Sequence, residues 1–354
     1  LWILPYYTSI TAVVFFCILV LKSRHLNKKV INGLLLVYVG LILFILLQGK
    51  NPLNYLTILS SPVAFVCLDK ITLSRKEKKR LFYFIEFTWL ILVLLSFGYF
   101  DRFTINRSSM VNSNTMGMYL LDMAMLLLYF FDIYEKKLIK SIVVSFVTIL
   151  SLYLGYQARG NLIAFLFFLL CCIFRKHIMK NYKRILILAA VLIIAGGLIP
   201  FIYIQLIQNN FFGVRTYSLK DMYTREGVWS DLVGTFVVNK SYLITGLPSN
   251  ELEIMGSAIH NNSFELLASI GILGLVLYFI FVFSYMKTII ADSKHSNKID
   301  LLIFAFLSLL VQGFTEVSLF WSVTYVLHYM YLGLASGNEY VNIPEREYGL
   351  KLTS

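Results

Sequence analysis

Stretches of about twenty apolar residues recur along this chain, each set off from the next by a short polar or basic segment. A run of that length matches the ~30 Å of hydrocarbon that a helix must cross. Within lipid, every backbone N–H and C=O needs an internal partner, so spanning segments are helices or strands of closed barrels. No run alternates as a barrel strand does, and helix is left. The runs predict spans at approximately 6–22, 30–48, 55–72, 81–100, 116–133, 138–156, 160–174, 185–206, 264–287, 300–317 and 321–336. The expected fold is therefore all-α, a polytopic helical membrane protein with about 11 spans. It forms a single integral membrane domain over residues 1–354.

Charge placement gives the orientation. The formal charge of +12 could suit nucleic acid, but the basic residues sit in separate clusters such as "KSRHLNKK" (22–29), "DKITLSRKEKKR" (69–80) and "RKHIMKNYKR" (175–184). A nucleic-acid groove needs one contiguous basic face, and membrane spans keep these clusters apart. Basic clusters of this kind mark cytoplasmic loops. With the loop after the first span inside, only Lys50, Arg102, Arg107, Arg159, Arg215, Lys220, Arg225 and Lys240 fall outside. The first residue is Leu rather than Met and starts on the outer face, so either a preceding twelfth span or an odd-numbered topology with an unusual start codon is expected.

One connection is long. Residues 207–263 form an extracytoplasmic segment far beyond the ~12–15 residues above which loops are usually functional or disordered. Within it, "SLKDMYTREGVWSDLVGTFV" carries Met222, Trp229, Leu232, Val233 and Phe236 at helical spacing. Ser218 and Asp221 resemble a capping pair. The expectation is an ordered amphipathic helix, lying on the outer membrane surface or folded as a lid over a cavity.

The polar residues worth singling out gather at the outer face. His25, His177 and His295 lie in basic loops and His328 lies inside the last span, which leaves His260 of the five histidines. It stands at the head of an apolar run, in "SAIHNNSFELLASIGILGLVLYF", with Asn262 or Ser263 expected to cap the helix. The positive end of a helix dipole disfavours an imidazolium beside it, which suits a ring that must accept a proton. The plain alternative is a polar residue at an interfacial helix end. Arg159, in "LGYQARGNLIAF", occupies a tight outward turn whose Gly160 permits close approach; it marks a binding role or snorkels to headgroups.

Arg225 leads Trp229 by four residues on the lid helix, and Arg215 lies ten residues earlier. Forked guanidiniums facing a pocket make a diphosphate clamp, while ordinary surface charge is the competing account. Glu251 and Glu253 could hold a cation but lack completing ligands. Glu316 could pair with an arginine or orient His260. Asp122, inside the "YLLDMAMLL" run, could mark a proton path and keeps a transporter reading open. The chain has no Walker A loop, GxSxG, HExxH or CxxC, and its four cysteines lie in apolar runs. No metal or cofactor is expected.

Taken in order, "VNSNTMGMYLL" (111–121), "ARGNLIAFL" (158–166), "REGVW" (225–229), "NKSYLITGLPSN" (239–250) and "HNNSFELLASIGILGL" (260–275) resemble the O-antigen polymerase and ligase superfamily of bacterial envelope polysaccharide enzymes. Ala158 stands where that family often has serine. The resemblance implies a C-class glycosyltransferase in the bacterial cytoplasmic membrane, working on its outer face. The donor would be an undecaprenyl-diphosphate-linked oligosaccharide, and no nucleotide sugar would be needed. It implies His260 as the catalytic histidine and Arg159 and Arg225 on the diphosphate; the reading of the residues themselves makes His260 the base, adds Arg215 to the clamp and sets Asn261, Trp229 and Glu316 in support. Besides membrane lipids, a chain-length regulator is an expected partner. The low-GC flavour of the Lys-, Ile- and Tyr-rich composition favours a polymerase over a ligase; a lipid-oligosaccharide flippase is the alternative from another class.

Overall fold

The computed structural model describes residues 39–40, 42–43, 45–46, 75–98, 113–134, 138–208, 225–248, 259–292, 299–315, 331 and 335. Its elements are α1 (Arg75–Gly98), α2 (Ser113–Tyr134), α3 (Leu138–Leu150) with a π-helical turn (Ser151–Gly155), α4 (Arg159–Ile173) and α5 (Arg175–Met179). They continue with α6 (Tyr182–Gln208), α7 (Arg225–Val238), α8 (Ser241–Thr245), α9 (Asn262–Asp292) and α10 (Asp300–Gln312). No strand occurs among the described residues.

Four segments are long and apolar enough to cross a membrane: Lys76–Phe97, Asn114–Asp132, Leu138–Gly155 and Lys183–Leu206. They correspond to the expected spans at 81–100, 116–133, 138–156 and 185–206. The spans expected before residue 75 and at 321–336, and the segment 209–224, lie outside the described residues, apart from isolated positions. α4 and α10 are apolar but have only 15 and 13 residues. At 1.5 Å per residue they reach roughly 22 and 20 Å, short of a full hydrocarbon crossing.

Helices α2 and α10 form the centre. Every residue of α10 is buried, and α2 buries a continuous stretch from Leu120 to Phe131. The outer helices bury one side and expose large apolar groups on the other, as with Phe84, Phe87 and Leu94 on α1 and Ile139, Ile142 and Phe146 on α3. In lipid such a face needs no partner, because the surrounding tails are as apolar as the side chains.

The span expected at 264–287 is not one continuous helix. Gly271 adopts φ 67° and ψ −176° and breaks α9 into two limbs. That backbone region belongs essentially to glycine. The 244–246 backbone occupies the place a side chain would need at residue 271, and Leu247 N–H donates to the Ala268 carbonyl at 2.7 Å. The inserted turn thus satisfies an acceptor close to the break. Asn262, Ser263 and Leu266 of the first limb and Phe279 of the second line one small cleft together with Leu192, Ile193 and Leu310. A straight helix would hold residues 262 and 279 about 25 Å apart, so the limbs fold back toward each other. Apolar residues flank Gly271 on both sides, Leu266, Leu267 and Ile270 before it and Ile272 and Leu273 after it, which is why hydropathy merges the limbs.

Candidate functional site

Three helix ends meet at one pole of the bundle: the start of α4, the start of α9 and the end of α10. The two that begin here arrive through an unusual backbone. Ahead of α4, the π-helical turn closes with Tyr156 N–H on the Ser151 carbonyl at 2.8 Å, and the buried Tyr156 hydroxyl donates to the Leu92 carbonyl at 2.6 Å. Gln157 then takes φ 52°, and α4 begins at Arg159. Ahead of α9, His260 takes φ 47°. Gln157 and His260 are the non-glycine residues with positive φ among the described residues. Each such residue costs of order 1–3 kcal/mol and persists only where its surroundings hold it.

The surroundings of His260 are specific. On one side, buried Trp229 of α7 donates its indole N–H to the Ile259 carbonyl at 2.5 Å. On the other side, Asn261 is fully buried and uses its whole amide. Its oxygen accepts the Phe264 N–H at 2.8 Å, while its nitrogen donates to the Gly196 carbonyl of α6 at 2.9 Å and the Phe314 carbonyl at 3.1 Å. Asn262 donates its backbone N–H to the Gly313 carbonyl at 2.8 Å. The two asparagines therefore read the carbonyls that α10 leaves open at its end, groups that every helix must satisfy elsewhere. Asn261 is the cap of α9, where Asn262 or Ser263 was expected. The reason is that the left-handed His260 turns the chain one residue earlier and leaves the Asn261 side chain facing the first turn.

The Arg159 side is joined to the same centre. Asn161, buried on α4, donates to the Asn114 carbonyl at 2.9 Å and accepts the Gln312 side-chain N–H at 2.5 Å. Thr315 occupies the space beside Gly160, so the close approach predicted for that glycine is made by a side chain of the 313–315 turn. Arg159 itself is exposed. Arg159 and the half-buried His260 thus stand at the heads of two helices that both meet the 313–315 turn.

The lid expectation is met in its helix and altered in its packing. α7 spans 225–238 and buries Val228, Trp229, Leu232 and Phe236. Trp229 meets Tyr203 edge-on at 5.8 Å, and Phe236 meets Phe264 at 6.0 Å. That face is filled by α6 and α9 rather than by a hollow. The cleft between α6, α9 and α10 has about 10 Å³ of free space, and neither His260 nor Arg159 lines it. It has room for little more than one water and none for a sugar.

Arg215, Glu251, Glu253, Glu316, Ser218 and Asp221 lie outside the described residues, and of Arg225 only the backbone, at the start of α7, is described. Asp122 is fully buried on α2, where the Tyr331 hydroxyl lies 3.0 Å from its Oδ1. Cys171 is buried and Cys172 partly so; both are free thiols in α4. No cluster of three or more metal-ligating side chains occurs among the described residues. Asn161 and Gln312 were missed from sequence; their signal is a lone amide inside an otherwise apolar run. Comparison with family models, curated proteins and solved structures returns no match.

Proposed function

We propose that this protein is a membrane-embedded glycosyltransferase that polymerises undecaprenyl-diphosphate-linked oligosaccharide units at the outer face of the bacterial cytoplasmic membrane. The observation that carries the reading is the strained, half-buried His260, held between the Trp229 bond at Ile259 and the three bonds of Asn261. Strain of this kind is kept where a side chain must be aimed. In the proposed reaction an acceptor hydroxyl attacks the anomeric carbon of the donor. The hydroxyl proton passes to His260, the C–O bond to the carrier breaks, and lipid diphosphate leaves with the electron pair. Arg159, with Arg225 and Arg215 from the segment ahead of α9, stabilises the charge growing on that diphosphate. Attack opposite the leaving group inverts the anomeric centre. The aromatic face of α7 shields the histidine turn from water, which favours transfer over hydrolysis.

The assay is purified protein in detergent with a synthetic undecaprenyl-diphosphate repeat unit. A polymerase gives a ladder of products. A single addition to a foreign acceptor makes it a ligase instead. A transporter reading has two specific supports: the broken α9 and the buried Asp122 are features that transporters place at substrate and ion paths. Movement of the lipid across liposomes without glycan transfer would decide for that reading.

A further inference from the structure

The amide of Asn261 reaches a carbonyl that an unbroken helix would not offer. Within α6, the N–H of residue 200 would bond the carbonyl of residue 196, four residues back. Residue 200 is proline, which has no N–H, and its ring crowds that carbonyl. The freed acceptor belongs to Gly196, and Asn261 Nδ2 donates to it at 2.9 Å. The same stretch, "GGLIP" (196–200), also supplies the room: a side chain on Gly196 would come within 3.1 Å of Ser263 Oγ and 3.2 Å of the Phe314 ring. One turn below, Ser263 Oγ donates to the Ile193 carbonyl at 3.3 Å. A notch cut into α6 by one proline and one glycine therefore receives the His260–Ser263 turn.

We infer that Pro200 is a positioning residue for His260, acting by leaving the Gly196 carbonyl open to Asn261. Proline in a helix interior lowers helix stability, and here the freed carbonyl is turned to fixing a neighbouring turn in its left-handed form. The catalytic meaning of this rests on the proposed role of His260, but the geometry is testable without any turnover.

The experiment compares wild type, Pro200→Ala, Asn261→Asp and the double variant in detergent. Two quantities are read: the rate of His260 carbethoxylation by diethyl pyrocarbonate, measured on the residue-260 peptide by mass spectrometry, and the thermal unfolding midpoint. Alanine at 200 restores the helical N–H, which competes with Asn261 for the Gly196 carbonyl. The expected result is a rate about fivefold higher, the factor for one net hydrogen bond, with an unfolding midpoint equal to or above wild type. Asp at 261 keeps the acceptor for Phe264 N–H but loses both donors, so its rate rises at least as far. In the double variant the two increases do not multiply, because both act through one carbonyl. An unchanged rate in Pro200→Ala overturns the inference. So does a raised rate with a lowered midpoint, which would make Pro200 a packing residue, or fully multiplicative rates. A wild type that makes no polymer yet shows the expected rates would remove the catalytic reading and leave the positioning role standing.

Discussion

The two poles of this bundle are held together by different chemistry. At the His260 pole the joints are neutral: the side-chain amides of Asn261, Asn161 and Gln312, with the backbone N–H of Asn262, bond backbone carbonyls and one another. At the opposite pole the joint is ionic. Arg175, just beyond α4, reaches Asp300 at the head of α10 at 2.8 Å and Asp132 near the end of α2 at 3.2 Å. Burial opposes the charge of Arg175, yet the hydrogen bond and charge of Asp300, then of Asp132, push its guanidinium further up. The charge of Arg175 is thus met internally, while Lys176, Lys180, Lys183 and Arg184 around it stay exposed. The His260 pole builds its frame from uncharged groups, which leaves Arg159 exposed and able to meet an anion from outside.

Substitutions should separate the poles in order of effect. The largest falls on the exposed cation: Arg159→Ala should lower transfer by about 10²-fold or more, the usual loss for one preorganised donor to a developing anion, with the unfolding midpoint unchanged. Equal activity in that variant would leave the neutral pole without its proposed ligand. Next, Gly271→Ala sets a side chain against the Ile244 carbonyl in a backbone region reserved for glycine. It should cost about 3 kcal/mol or more, read by thermal unfolding in detergent. Asp300→Asn at the ionic pole should cost roughly 2 kcal/mol, because Arg175 keeps Asp132 and 28% side-chain exposure. Its loss should shrink as salt rises, whereas the stability lost on replacing the amides at the neutral pole should be indifferent to salt. The smallest effect is Trp229→Phe, which removes one indole N–H from the Ile259 carbonyl and should cost about 1 kcal/mol.

These differences also mark what could be read from the chain. Helix positions were legible because hydropathy reports them directly: α2, α3 and α6 lie within a few residues of the runs that predicted them. The buried stripe of α7 was legible from the spacing of Trp229, Leu232 and Phe236. The break at Gly271 was not, since its cause is the backbone of residues 244–246, distant in sequence and invisible to local composition. The role of Asn261 was half legible. A polar residue ahead of an apolar run signals a cap, but which of three neighbours serves depends on the left-handed turn at His260. Its second partner depends on Pro200, some sixty residues earlier, and no pattern within the "HNNS" stretch points there. Arg159 lies at the head of α4, next to the turn read from the sequence, while its exposure is not written in the local pattern.

The proposed chemistry turns on the imidazole at residue 260. The most direct measurement is single-turnover transfer from the lipid-diphosphate donor by wild type and His260→Ala at matched amounts of folded protein. Loss of a general base predicts a fall of about 10²–10⁴-fold in the transfer step, with donor binding retained through the arginines. Transfer by His260→Ala at the wild-type rate would show that the strained turn carries no chemistry.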